Sequence, residues 1–208
     1  MPRTDRKSNT NIDDFQAVPQ EKRLDRLQLI TFTHGSHTSI NDGGCAMEWA
    51  AWVAGEKHSD RPACVSPVIA AFGRAWNDAL PTDADRDRLL KPLVPLMIGT
   101  RTGPEDDETR AWLATDWLVR VQAPAWMSLT EVLRGHADLL RGLPAITSTA
   151  TAEAAKPMLT AAWAAAGAAA WAAAWAAAGA ALAPTVATLQ ESAVALVVAM
   201  CAVGRVAE

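Results

Sequence analysis

Between positions 34 and 64 fall His34, His37, Cys45, Glu48, His58, Asp60 and Cys64, a dense local set of side chains able to ligate a metal or move a proton. Two chemistries use such residues. Zinc takes deprotonated thiols and neutral imidazoles in a tetrahedral array. His34 and His37, three positions apart, would supply such a set with Cys45 and Cys64, although the spacing matches no specific zinc pattern. Alternatively, a cysteine at the positive N-terminus of a helix can lose its proton and become a nucleophile. Cys45, preceded by Gly43 and Gly44, occupies such a place, with Glu48 as an acid/base group and His58 as the histidine that follows it closely.

Each residue also has a structural reading. Cysteine is among the most often buried residue types, which would make Cys45 and Cys64 small core residues. His58 and Asp60 would fix a turn, His34 and His37 would satisfy exposed loop backbone, and Asn77-Asp78 would cap the end of a helix. His136, beside Arg134 and Asp138, reads as part of a solvated face. No glycine-rich phosphate loop, HExxH motif or paired-carboxylate constellation is present.

The elements that must position these residues are helical. Leu27, Leu29, Ile30 and Phe32 read as one short strand or an extended segment leading into the loop of His34 to His37. Asp42 reads as an N-cap for a helix over Met47 to Ala54, stopped by Gly55. Ser66-Pro67 starts the next helix and Pro81 ends it. Thr82 and Asp85 form a capping box for a helix that Pro92 and Pro95 must split in two. Gly103-Pro104 and the acidic run after it open a further helix, with Trp112, Trp117 and Val121 inward and Pro124 as its stop. Ser128 and Glu131 cap one more, bearing Leu133, Leu139 and Leu140 up to Gly142.

From Lys156 to Glu191 no charged residue intervenes, and Ala161 to Leu182 contains only Ala, Trp, Gly and one Leu. Alanine favours the helix, so one long helix is expected over about residues 151 to 183. Trp163, Gly167, Trp171, Trp175 and Gly179 recur every four residues as a winding stripe. Reversed about Trp171, the order sets Trp163 against Gly179 and Gly167 against Trp175. An antiparallel second copy would thus place a ring in each glycine notch. The competing expectation is that Pro184 ends the helix and that Val186, Leu189, Ala193, Leu196, Val197 and Met200 return as an antiparallel helix in an intramolecular hairpin. Hairpin and dimer are compatible as a four-helix assembly. The uncharged stretch exceeds the roughly 20 residues a bilayer span needs. Its mid-segment tryptophans and lack of basic flanks nevertheless disfavour a membrane.

At 208 residues with a formal net charge of −4, acids and bases interspersed, the chain has no field to gather nucleic acid. Three cysteines and no basic-then-apolar leader are expected of a cytoplasmic protein with reduced thiols. Alanine abundance is partly a mark of a GC-rich genome.

Gly44-Cys45-Ala46-Met47-Glu48, Gly55-Glu56, His58-Ser59-Asp60, Pro62-Ala63-Cys64, Trp76-Asn77-Asp78, Gly99-Thr100 and, after the Ala/Trp tract, Pro184-Thr185-Val186 together resemble a family of uncharacterised proteins of actinobacteria and their phages. The resemblance spans about residues 30 to 203. It implies a source and a modular plan and carries over no activity.

The expected architecture is therefore all-α: a tail over 1–23, a helical domain over 24–146, and an Ala/Trp-rich hairpin arm over 147–208. The expected role is that of a structural or interaction module, not an enzyme. It would form a homo-oligomer or dock a helical partner, with no cofactor. Zinc or thiol chemistry at the His34–Cys64 cluster is the alternative.

Overall fold

The computed structural model describes residues 19–173 and 179–205, with side chains described outside 167–181. The fold is all-α, and no strand occurs among the described residues. The chain forms two compact units, Met1–Arg101 and Thr102–Glu208.

The first unit is organised around α2 (Ala46–Ala54), whose residues Ala46 to Val53 are all buried. A short helix apolar on every side has to be enclosed. Here α1 (Gln20–Leu27), α3 (Pro67–Ala79) and α5 (Val94–Met97) pack on it. Gly73 of α3 lets that helix come close, since a Cβ there would stand 3.0 Å from Met47 Cε. Ser66 caps α3, with Pro67 at its first position, and Thr82 caps α4 (Asp83–Leu89). A 3-10 turn, Lys91–Leu93, carries Pro92, and α5 carries Pro95. The expected split at the two prolines therefore yields short elements.

Three sequence expectations change in this unit. Residues 20–23, assigned to the tail, begin α1, and Arg23 is buried with its guanidinium against Gly55. Asp42 does not cap α2. It ends a 3-10 turn, accepts hydrogen bonds from the hydroxyls of Thr38 and Ser39, and leaves the N-cap position to Cys45. The strand-like run joins no sheet. Its backbone groups are taken up by side chains: Phe32 N–H donates to Asp87 Oδ1 at 2.8 Å, Gly35 N–H to Asp78 Oδ1 at 3.0 Å and His37 N–H to Glu48 Oε1 at 2.7 Å. On the acceptor side, Lys91 Nζ donates to Ile30 O, Asn77 Nδ2 to Thr33 O and His58 Nε2 to His37 O. These partners replace the neighbouring strand that extended backbone otherwise needs.

In the second unit α6 (Pro104–Trp117) continues through a π-turn, Leu118–Gln122, into α7 (Ala123–Met127). Pro124 thus does not stop the helix, because the wider turn ahead of it absorbs the missing donor. The turn also rotates Val121 outward, to 38% exposure. Glu131 pairs with Arg134 instead of closing a capping box with Ser128, whose hydroxyl donates to Pro124 O. Leu133 and Leu140 of this region are buried, whereas Leu139 of α8 (Arg134–Arg141) faces out.

The helix α9 (Thr149–Ala173) buries Ala155 and Ala162 in one core with Met127, Leu133, Ala137, Leu140, Leu143 and Ile146. The sequence reading separated the arm at 146/147. The contacts instead divide the chain between Arg101 and Thr102, because α9 packs on α8, and α10 (Gly179–Ala202) packs on α6, α7 and the π-turn. Pro184 lies within α10 and does not end a helix. Near the N-terminus of the helix it forfeits only one intrahelical bond. The buried side of α10, Leu189, Ala193, Leu196, Val197 and Met200, follows the expected spacing. Leu182–Ala202 is long and apolar enough to cross a membrane by length and composition, with 33% of its most apolar window buried in the fold. The turn expected at Pro184 is not at that position, and the side chains of Gly167, Trp171, Trp175 and Gly179 lie outside what the structure describes.

Candidate functional site

Cys45 and Glu48 open α2 as a reciprocal cap: the thiol accepts from the N–H of Glu48, and Cys45 N–H donates to Glu48 Oε2 at 2.8 Å. The Glu48 side chain is only 2% exposed. It draws in the two loops that border the N-terminus of α2. From the first loop, His37 donates its backbone N–H to Oε1 and its ring Nδ1 to Oε2 at 2.9 Å. From the second, His58 Nε2 stands 3.2 Å from Oε1. An ionised carboxylate offers about four lone-pair sites; His37 N–H, His37 Nδ1 and Cys45 N–H occupy three of them, while His58 Nε2, hydrogen-bonded to His37 O at 2.9 Å, stands beside Oε1 as an electrostatic neighbour. Burial raises the Glu48 pKa. The backbone bonds from His37 and Cys45, followed by their side chains, outweigh it and hold the carboxyl below its usual range.

The donors determine the tautomers. His37 presents Nδ1–H to Glu48, and its Nε2, an acceptor when the ring is neutral, lies 3.0 Å from the Thr33 hydroxyl, which also stands 3.4 Å from Gly44 O. Thr33 Oγ1 in turn accepts Gly44 N–H at 3.1 Å. His58 carries its proton on Nε2, donated to His37 O, while its Nδ1 is buried without a hydrogen-bond partner. Asn77, fully buried, accepts Ala46 N–H and donates to Thr33 O. Asp78 takes Gly35 N–H and the Asn77 amide. Beside this network a pocket of about 200 Å³ is lined by Gly35, Ser36, Cys45, Asp60, Arg74 and Asp78. Arg74 reaches Asp60 through the backbone carbonyl, at 2.8 Å, and through the carboxylate, at 3.6 Å.

The seven sequence candidates thus separate. His37, Cys45, Glu48 and His58 converge, and Asp60 sits at the pocket wall. His34 is exposed, and Cys64 belongs to the loop that meets Glu56 and Gly99. Among the described residues no group of three or more His, Cys, Asp or Glu is arranged to hold a metal ion. The proposed quartet His34, His37, Cys45 and Cys64 is therefore not assembled.

Burial, and then the nearby Glu48 charge, push the Cys45 thiol up to about 12 despite two backbone hydrogen bonds that act the other way. Cys64 is pushed up to about 12 by burial and by Glu56. The helix N-terminus does not generate a thiolate here, because Glu48 has already taken the field of that terminus. Sequence reasoning missed Thr33, and gave Asn77 a local capping role where it bridges two segments. Neither partnership leaves a spacing signal, since both depend on the fold bringing positions 33, 44 and 77 together. Compared with known proteins, the chain matches no family model, no curated protein and no solved structure.

Proposed function

We propose that the protein is a structural or interaction module that self-associates through the Trp/Gly stripe of Trp163, Gly167, Trp171, Trp175 and Gly179. One observation carries this reading: Trp163 is 84% exposed. Ala162, its neighbour in sequence, is buried in the core of the second unit, so a step of about 100° around the helix separates the face already packed from the face left open. A tryptophan carries about 150–250 Å² of buriable surface, worth several kcal/mol at ~25 cal/mol per Å². The occupant is a second copy, antiparallel, because the order Trp-Gly-Trp-Trp-Gly is complementary to its own reverse. Resemblance to the actinobacterial and phage proteins extends the reading, by analogy alone, to assembly or host interaction in a reducing cytoplasm.

Light scattering coupled to size exclusion tests it. The expected result is a dimeric wild type and monomeric Trp163→Ala and Gly167→Leu/Gly179→Leu variants. A wild type that stays monomeric across a concentration series overturns the reading.

A further inference from the structure

The chain Thr33–His37–Glu48 has the connectivity of a hydroxyl nucleophile, a base and a carboxylate that orients the base. Thr33 Oγ1 lies 3.0 Å from His37 Nε2, and His37 Nδ1 lies 2.9 Å from Glu48 Oε2. The far end is rigid: Glu48 is buried and also accepts from the backbone of His37 and the backbone of Cys45, with His58 Nε2 3.2 Å from its other oxygen. An imidazole held this way keeps its Nε2 lone pair aimed at the hydroxyl, which is what general-base activation of a serine or threonine requires.

The hydroxyl and the ring meet beside a glycine. Gly43, at φ +114°, has no side chain where a Cβ would stand 2.9 Å from Thr33 Oγ1 and 3.4 Å from His37 Nε2. Thr33 and His37 are both partly exposed, while Glu48 beneath them is not.

We infer that Thr33 is an acyl-accepting nucleophile, with His37 as its base and Glu48 as a positioning residue, for small activated acyl esters. Thr33 Oγ1 bonds to the acyl carbon and its proton passes to His37 Nε2. The bond between acyl carbon and leaving oxygen breaks, and the alcohol departs with that proton. Water then attacks the acyl-threonine ester and gives a proton to Nε2, the carboxylic acid leaves, and the proton returns to Thr33 Oγ1.

The full chain is incubated with p-nitrophenyl acetate, and acetylation is located by peptide mass mapping. Wild type is expected to carry acetyl on Thr33. Thr33→Ser should retain the modification at position 33, and His37→Gln should acetylate Thr33 about 100-fold more slowly or less, the usual contribution of a general base. Thr33→Val removes the acceptor, and its circular dichroism and melting temperature report whether the fold persists. If that variant does not fold, the mapping in wild type and the His37→Gln rate still decide. A wild type with no acetyl on Thr33, or a His37→Gln variant acetylated there at the wild-type rate, overturns the proposal.

Discussion

His37 is joined to Glu48 twice, by its backbone N–H to Oε1 at 2.7 Å and by its ring Nδ1 to Oε2 at 2.9 Å, across eleven positions of sequence. One buried carboxylate therefore sets both the path of the loop and the orientation of its imidazole. Glu48→Gln keeps the shape but turns an amide N–H₂ toward donors. Hydrogen bonds to a charged group contribute about 1.5–3 kcal/mol each, so the variant should lose roughly 3 kcal/mol or more in urea unfolding. A change under about 1 kcal/mol would show that the donors find other acceptors.

The same carboxylate governs acid stability. Its folded pKa is lowered, so its contribution is complete above the unfolded value of about 4.3 and is lost as pH falls through the lower folded value. The stability gap between wild type and Glu48→Gln should accordingly narrow on acidification below about pH 4. A gap that stays constant or widens would mean that Glu48 is not ionised in the folded protein.

Gly44 is required by a neighbour, not by its own backbone. A Cβ at this position would stand 2.7 Å from Trp49 Nε1 and 2.9 Å from Cε2, and Trp49 is 2% exposed and edge-on to Trp52 at 5.6 Å. Gly44→Ala should cost about 1–3 kcal/mol by overpacking. The contrasting change is Gly135→Ala in α8, where nothing lies within 4 Å, and which should stabilise by about 0.5–1 kcal/mol. Thermal unfolding of both variants checks the pair, and equal effects would contradict it.

The helices were legible where local rules decide them: Ser66-Pro67 and Thr82 start α3 and α4, and the Leu189-to-Met200 spacing identifies the buried side of α10. What hides is whatever the fold brings together from afar. Leu27 to Phe32 read as strand-like because extended backbone and apolar residues look alike whether the partner is another strand or a side chain such as that of Asp87, which takes the Phe32 N–H. The convergence of Cys45, Glu48 and His58 was within reach as a cluster. Its character as a carboxylate that gathers hydrogen-bond donors needed the directions of those donors. That α10 is covered by α6 and α7 was not legible either, since an apolar helical face does not name what covers it.

Arg110 is fully buried and ties the end of α10 to the start of α6. It donates to Met200 O at 3.0 Å, Val203 O at 2.8 Å, Thr102 Oγ1 at 3.1 Å and Asp107 Oδ1 at 3.0 Å. Arg110→Ala strands Asp107 and two helix-end carbonyls, and breaking a buried pair by removing one partner costs about 3–5 kcal/mol. Hydrogen exchange should accelerate first over residues 198–205. Unchanged protection in that stretch would show that the guanidinium is not its anchor.

The thiols give the sharpest contrast between position and environment. Cys45 opens a helix, which by itself lowers a thiol pKa, yet burial and the adjacent Glu48 push it up to about 12. Cys64, near Glu56, reaches about 12 as well, and Cys201 about 11, again through burial. At pH 8 only about one molecule in 10⁴ would then carry a Cys45 thiolate, by the ordinary titration relation. Because the thiolate is the reactive form, iodoacetamide alkylation of Cys45, followed by peptide mass mapping, should be slow at pH 8 and still rise through pH 10. A rate that levels off below pH 8 would mean that the helix terminus prevails over Glu48, and would restore Cys45 as a candidate nucleophile.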